Sequence, residues 1–383
     1  MVRRGAYAAI LVLGIVSLLG DFVYEGGRAV IPGYLPALGA SAFVLGLVGG
    51  LGDAVSQVSR LATGYLADRT RAYWPLTIAG YSMIAAIPLL ALAASWEAAA
   101  LLILLERLGK ALRTPARDAI LSFVGKEVGA GKAFGIHEFL DQLGAVAGPL
   151  AMALILLEAR GAGGYSTALA WTLPPFAALM VAILYAYGRF RHIAVAGKST
   201  LGGVRQKLGR RFTLYTAAVS INTLGLIYIL LIPYKAEQIL SQAWAVPLIY
   251  LAIQLIDAPV ALLAGHWFDK TGVRLLALPF VLSIPATLMT LYAYDMATLI
   301  AGAAVFGVVL GMQESIYRAS VAVMTPEEAR GSAYGVFSAA YGISLMGSGA
   351  VYGYLLQAPE IATAYVVITQ LAALTLLRAS TRV

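Results

Sequence analysis

The sequence predicts an all-α integral membrane protein with twelve transmembrane helices arranged as two pseudo-symmetric six-helix bundles. Three observations carry this. Hydrophobic residues make up 60% of the 383 positions and charged residues only 12%, with a mean hydropathy of +0.82, well outside the soluble globular range. Apolar runs of the ~20 residues needed to cross a bilayer recur from end to end. The chain also repeats itself at a period near 200 residues.

Segmenting at the polar breaks places the first six spans near 7–32, 42–66, 73–95, 97–115, 131–157 and 166–189. The second six fall near 211–234, 243–266, 273–293, 296–323, 330–357 and 361–378. Residues 1–190 therefore form an N-terminal bundle, 191–210 a basic, Gly-containing linker, and 211–383 a C-terminal bundle. The opening Met1-Val2-Arg3-Arg4 is read as the start of the first span, because Asp21, Glu25 and Arg28 interrupt the apolar run and no small-x-small cleavage site follows.

Alternate loops differ in charge. One set carries Arg3, Arg4, Arg69, Arg71, Lys126, Lys132, the cluster from Arg189 to Arg211, Lys270, Arg274, Arg330, Arg378 and Arg382; the other has only scattered charges such as Glu97, Arg160, Lys235, Asp295 and Glu360. The positive-inside rule places the first set, both termini and the linker in the cytoplasm, in a multi-pass protein of the plasma membrane. Scattered topology signals also account for the net charge of +8 without nucleic acid as a partner. Cysteine is absent, which excludes disulfides and thiolate chemistry, and Asn222 is the single asparagine.

The repeat is clearest in two loops. Gly64-Tyr-Leu-Ala-Asp68-Arg69-Thr-Arg71 follows the second span, and Gly265-His-Trp-Phe-Asp269-Lys270-Thr-Gly-Val-Arg274 follows the eighth, 201 residues on. Gly131-Lys-Ala-Phe-Gly135 and Gly331-Ser-Ala-Tyr-Gly335 open the fifth and eleventh spans, 200 residues apart. With these motifs the chain resembles the major facilitator superfamily, whose Gly-x-Leu-x-Asp-Arg signature the first loop matches. The resemblance implies two rocking halves, a substrate site between them and action as a monomer. It also implies a gating role for the loop cluster Gly64, Asp68, Arg69, Arg71 and Asp269, with Arg113, Arg117 and Asp118 as partners. Gly64 is expected to let helices pack closely. Gly135, Gly144, Gly148 and Pro149 in the fifth span are similar to the superfamily's antiporter motif, with Met152 and Ala153 in place of its closing Gly-Gly.

Ionisable residues within spans cost about 2.5–3.5 kcal/mol each on insertion scales, so each is a functional candidate. Asp21, Glu25 and Arg28 share one face of the first helix; Asp53, Gln57 and Arg60 share one face of the second; and Glu106, Lys110 and Arg113 share one of the fourth, with Arg107 adjoining. The fifth carries His137, Glu138, Asp141 and Gln142. Residue counting puts Asp21, Asp53, Glu106, Arg107 and Asp141 near mid-depth, and Asp21, Glu106 and Arg107 are the expected cavity floor. The second half is plainer: Asn222, Gln254 and Gly307 stand where Asp21, Asp53 and Glu106 stand in the first, leaving Asp257, Glu314 and Arg318 as its main charges. Glu314 and Arg318 are expected to pair, His137 to be a satisfied packing residue, and Tyr24, Tyr34, Tyr228 and Tyr234 to edge an outer vestibule.

No phosphate-cradling loop, zinc motif or nucleophile–base constellation occurs, so neither an ATP-driven pump nor an enzyme is expected, and no cofactor. The reading is a secondary transporter whose partners are a small-molecule substrate, protons and the lipid bilayer. Mid-depth carboxylates favour a proton-coupled antiporter exporting cationic or amphipathic molecules. Two alternatives stay open: uptake or exchange of an organic or phosphorylated anion with the basic residues as ligands, and metal-ion export.

Overall fold

The computed structural model describes residues 2–125, 127–159, 163–191, 208–240, 242–326 and 329–382. Most of the 191–210 linker, together with Lys126 and Arg160, lies outside them. The described chain is helical, in twelve segments: α1 (Val2–Ala37), α2 (Ala42–Thr70), α3 (Tyr73–Leu92), α4 (Trp96–Gly125), α5 (Ala130–Glu158) and α6 (Gly164–Phe190). In the second half α7 runs in two pieces, Arg210–Leu224 and Leu231–Leu240. It is followed by α8 (Ala245–Thr271), α9 (Ala277–Leu291), α10 (Met296–Met324), α11 (Arg330–Leu355) and α12 (Pro359–Arg382).

Most helices start and end within a few residues of the predicted polar breaks, but α4 runs on to Gly125 where the break predicts 115 and α7 to Leu240 where it predicts 234. Length and apolarity alone single out only eight stretches. Three helices escape that criterion for physical reasons. α4 carries Glu106, Arg107, Lys110 and Arg113 inward, α7 is interrupted, and α11 is built of Gly, Ser and Tyr as much as of aliphatics. α8 and α9 meanwhile merge into a single apolar stretch, joined by a short 3₁₀ turn at Gly272–Leu276.

The break in α7 departs from the continuous span expected at 211–234. Interrupted backbone at membrane depth must have its polar groups satisfied by protein, and here side chains from three helices do so. The Tyr352 and Ser348 hydroxyls of α11 donate to the carbonyls of Gly225 (2.7 Å) and Leu226 (2.5 Å). Tyr365 of α12 donates to the Leu224 carbonyl at 3.2 Å, and Thr287 of α9 accepts from the Ile227 amide at 3.2 Å. The freed segment, Leu226 to Ile229, faces the space between the halves.

Glycine sets the closest helix contacts. A Cβ at Gly144 would overlap the Leu18 carbonyl of α1, and one at Gly148 the Phe22 carbonyl, so the glycines of the antiporter-like motif seat α5 directly on α1. Pro149 lies within α5 beside that contact. Across the halves, Gly46 of α2 meets the backbone of Gly349 of α11, and Gly50 that of Met346. Gly64 differs from its expected role: a Cβ there would stand 3.6 Å from Pro115, an ordinary contact that does not require glycine.

A polar cavity between the two bundles

A cavity of about 200 Å³ lies between the bundles and takes its walls from both. From the first half come Glu25 and Arg28 of α1, Asp53, Gln57 and Arg60 of α2, and Arg107 and Lys110 of α4. From the second come Tyr228 of the α7 break, Tyr250 and Gln254 of α8, Gln313, Glu314, Tyr317 and Arg318 of α10, and Ser338 and Tyr341 of α11. One π-turn at Gln313–Tyr317 interrupts α10. Such turns concentrate at functional sites, and this one supplies three lining residues, Gln313, Glu314 and Tyr317.

At the deep end, Asp53 is the hub. Its carboxylate pairs with Arg28 (2.9 Å) and Arg107 (3.4 Å) and accepts the Tyr228 hydroxyl from the other half at 2.7 Å. Tyr24, fully buried, completes the cluster. Its hydroxyl accepts from Arg28 at 3.2 Å and also from Arg107. The Lys110 ammonium (4.2 Å) and the Arg107 guanidinium (4.6 Å) sit over its ring, a favourable placement of cations on a ring quadrupole. Tyr24 therefore organises the basic residues of two helices, α1 and α4, and is not an outer-vestibule residue. Its spacing of four from Arg28 puts it on the Arg28 face, a signal present in the sequence. Of the other tyrosines grouped with it, Tyr34 donates to the Leu90 carbonyl, Tyr234 accepts from Gln238, and Tyr228 alone joins the lining.

The expected floor of Asp21, Glu106 and Arg107 is not what forms. Only Arg107 reaches the cavity. Glu106 turns away, 1% exposed, and pairs with Arg113 at 3.1 Å, whose guanidinium also donates to the Gly80 carbonyl of α3. The cavity face of α4 is thus Arg107 and Lys110, three residues apart, while the Glu106–Arg113 pair binds α4 to α3. Asp21 and Asp141 are absent from the lining; Asp141 accepts the Ser17 hydroxyl, to which Arg117 also donates at 3.1 Å. Glu138 is exposed and likewise outside the lining.

Asp257 of α8 is buried, and its Oδ1 has no hydrogen-bond partner among the described residues. Glu314 and Arg318 face the cavity but form no ion pair within 4 Å, contrary to expectation, because the π-turn between them shifts their helical register. His137 is buried as expected, yet neither ring nitrogen has a partner. In the loop after α2, Asp68 accepts the Tyr73 hydroxyl at 3.1 Å and pairs with none of Arg113, Arg117 and Asp118. Arg113 is taken by Glu106, and Arg117 and Asp118 pair with each other at 2.9 Å. Asp269, Arg69 and Arg71 form no ion pair among the described residues; Arg71 ends α2 in the left-handed region at φ 54°.

α2 and α11 meet along their length, from Gly46–Gly349 to Leu61–Gly335 near the basic face, but the side-chain hydrogen bonds between the halves are one-sided. Three side-chain hydrogen bonds cross between them among the described residues, each a tyrosine hydroxyl donating to a carboxylate: Tyr228 to Asp53 (2.7 Å), Tyr250 to Glu25 (2.6 Å) and Tyr165 to Glu237 (2.6 Å). These, with the Gly46–Gly349 contact, lie toward the face opposite the basic loops. α4 and α10, which carry Lys110 and Arg318, do not pack on each other.

Comparison with known proteins gives a consistent answer. The Major Facilitator Superfamily profile matches residues 10–349. An uncharacterized protein of Mycobacterium tuberculosis is 36% identical over 360 residues, covering 91% of this chain and 87% of the relative. An uncharacterized transporter of the same superfamily from Methanocaldococcus jannaschii is 25% identical over 365 residues, covering 93% and 90%. Among solved structures, the nucleoside transporter NupG superposes with a TM-score of 0.73 at 16% identity, covering 98% of each chain. The inward-open xylose transporter XylE of E. coli gives 0.71 at 14% identity, covering 96% and 95%; at such identities the likeness speaks for the fold. With twelve helices, an internal repeat and a cavity walled by both bundles, this chain belongs to the major facilitator superfamily, a family of multi-pass membrane transporters.

Proposed function

We propose that the protein is a secondary active transporter of a small hydrophilic anion, working by alternating access in the cytoplasmic membrane with both termini inside. The observation that carries the substrate class is the charge of the cavity wall: five cations (Arg28, Arg60, Arg107, Lys110, Arg318) against three carboxylates (Glu25, Asp53, Glu314). The acids within the spans that favour a cationic cargo in the sequence are either outside the wall or already engaged. Glu25 holds Tyr250, Asp53 holds two arginines, and Asp21, Glu138 and Asp141 do not line it. Of the readings the sequence leaves open, the geometry therefore favours the anion over export of organic cations.

The placement of contacts supports an inward-facing state. The halves are latched on the face opposite the basic loops, and α4 and α10 stand apart on the basic side, which the positive-inside rule makes cytoplasmic. For coupling, Asp257 is the group we assign to the proton. A buried carboxylate oxygen with no donor among the described residues is an uncompensated polar burial that a proton offsets.

The test is flux in proteoliposomes under an imposed pH gradient, with organic anions, organic cations and divalent metals offered in turn. Anions are expected to accumulate with the gradient. Asp257→Asn is expected to keep anion exchange at zero gradient and lose gradient-driven accumulation about tenfold or more. A cation that drives proton counterflow in the wild type would instead establish the exporter reading.

A further inference from the structure

We infer that the basic-face end of the cavity is a subsite for a small dianion, with Arg60 of α2, Lys110 of α4 and Arg318 of α10 as its ligands. The inference rests on reading the cavity as the substrate site. Of the five lining cations, Arg28 and Arg107 have their counter-ion in Asp53, at 2.9 and 3.4 Å. Arg60, Lys110 and Arg318 have no carboxylate within 4 Å among the described residues.

Arg60 is the most telling of the three. Its Nε is buried and has no hydrogen-bond acceptor, which is rare for so strong a donor. Arg318, on the opposite bundle, lines the same cavity. Glu314 lines the same space and forms no ion pair among the described residues. Three cations and that one carboxylate leave a surplus of two positive charges, which a dianion neutralises and a monoanion does not.

The donor set suits oxyanions. Two guanidinium forks can each take two oxygens of a phosphate or carboxylate, and an ammonium adds a point charge. Tyr24 holds that ammonium in place from 4.2 Å below. Gln57 and Ser338 line the same space and make no side-chain hydrogen bond of their own among the described residues.

Because Arg60 and Arg318 belong to different halves, the subsite has a mechanical consequence. Closing the cytoplasmic side brings two like charges together, and a bound dianion turns that repulsion into two attractions. The empty carrier then resists closure and the loaded carrier favours it, so exchange of dianions runs faster than their proton-driven net transport.

The chain has no cysteine, so a spin-label pair can be placed without removing any. Ser122→Cys and Val323→Cys mark the basic-face ends of α4 and α10 at exposed positions. In nanodiscs, binding and label separation would be measured with inorganic phosphate, glycerol 3-phosphate and succinate, against lactate, glycerol and putrescine. The dianions are expected to bind and to shorten the separation. Arg60→Gln and Arg318→Gln are each expected to weaken that binding by about thirtyfold or more and to abolish the shortening. Should Arg60→Gln fail to fold, the exposed and unpaired Arg318 supplies the decisive variant. Equal binding of lactate, glycerol or putrescine, wild-type affinity in Arg318→Gln, or no binding of any dianion overturns the proposal. Transport of a monoanion or neutral solute in proteoliposomes would sink the dianion subsite and leave the transporter reading standing. Failure to move any solute would sink that reading itself.

Discussion

The two bundles share a repeat but not an electrostatic plan. All five ion pairs among the described residues lie in the first half. The second half is held instead by a neutral network around Asn222. Its amide donates to Ser283 (3.1 Å) and Gln370 (2.7 Å), its Oδ1 accepts from Tyr317 (2.6 Å) and Gln313 (3.4 Å), and Gln370 donates back to the Asn222 carbonyl at 3.0 Å. Asp21, at the equivalent position of the repeat, has no hydrogen bond among the described residues. Neutral amides and hydroxyls have fixed donor and acceptor directions, so the Asn222 network is a frame whose polar groups satisfy one another. The first half carries charges whose partners come partly from outside it, since Tyr228 and Tyr250 of the second half complete Asp53 and Glu25. At the cavity the halves are complementary, first-half carboxylates accepting from second-half tyrosines, while the Tyr165–Glu237 bond runs in the opposite sense.

The comparison can be broken most forcefully at Asp53. Asp53→Asn leaves Arg28 without a counter-ion and Arg107 with only Glu106 at 3.7 Å, while keeping the side-chain shape, and removal of one member of a buried charge cluster costs about 3–5 kcal/mol. Denaturation of the purified protein should show that loss together with loss of transport. An unchanged midpoint would mean that Tyr24, with Glu106 beside Arg107, is enough to support both arginines.

A reciprocal exchange sharpens it further. Asn222→Asp removes both amide donors and buries a charge facing the Gln370 oxygen, with an expected cost of about 3 kcal/mol. Asp21→Asn, giving the first half the residue of the second, should change stability by only about 0.5 kcal/mol. Equal costs for the two would contradict the division into a satisfied frame and a charged partner.

The smallest effect is expected at the latch between the halves. Tyr250→Phe deletes one hydroxyl donor to Glu25, worth about 1–2 kcal/mol. Its signature is conformational: a larger fraction of molecules open on the face opposite the basic loops, read by labels at Ala40 and Tyr354, both near that end. No change in that population would assign the closure to the Gly46–Gly349 seam alone.

Much of the fold was legible because a bilayer imposes a one-dimensional rule. A helix must be about 20 residues long and apolar, so polar breaks mark its ends almost regardless of packing. Hence α2, α10 and α11 begin at the positions expected for them. The site was legible where one helix face carried it, as with Asp53, Gln57 and Arg60, which all line the cavity. It was not legible on α4, where the spacing of Glu106, Lys110 and Arg113 suits a single face, yet Glu106 and Arg113 bond toward α3 and Arg107 takes the cavity. Periodicity states which residues share a face; it does not state which neighbour that face meets.

By itself, then, the sequence determined the membrane class, the twelve segments, the repeat and the concentration of charge in the first half, because hydropathy, loop charge and spacing are properties of the chain. Only the tertiary structure decided which charges are already neutralised. It paired Asp53 with two arginines, tied Glu106 into the bundle wall, opened α7 and α10 toward the cavity, and left Arg60, Lys110 and Arg318 without acidic partners. An ion pair depends on a few ångströms between residues far apart in the chain, and in a low-dielectric interior those ångströms set the sign of the surface offered to a substrate.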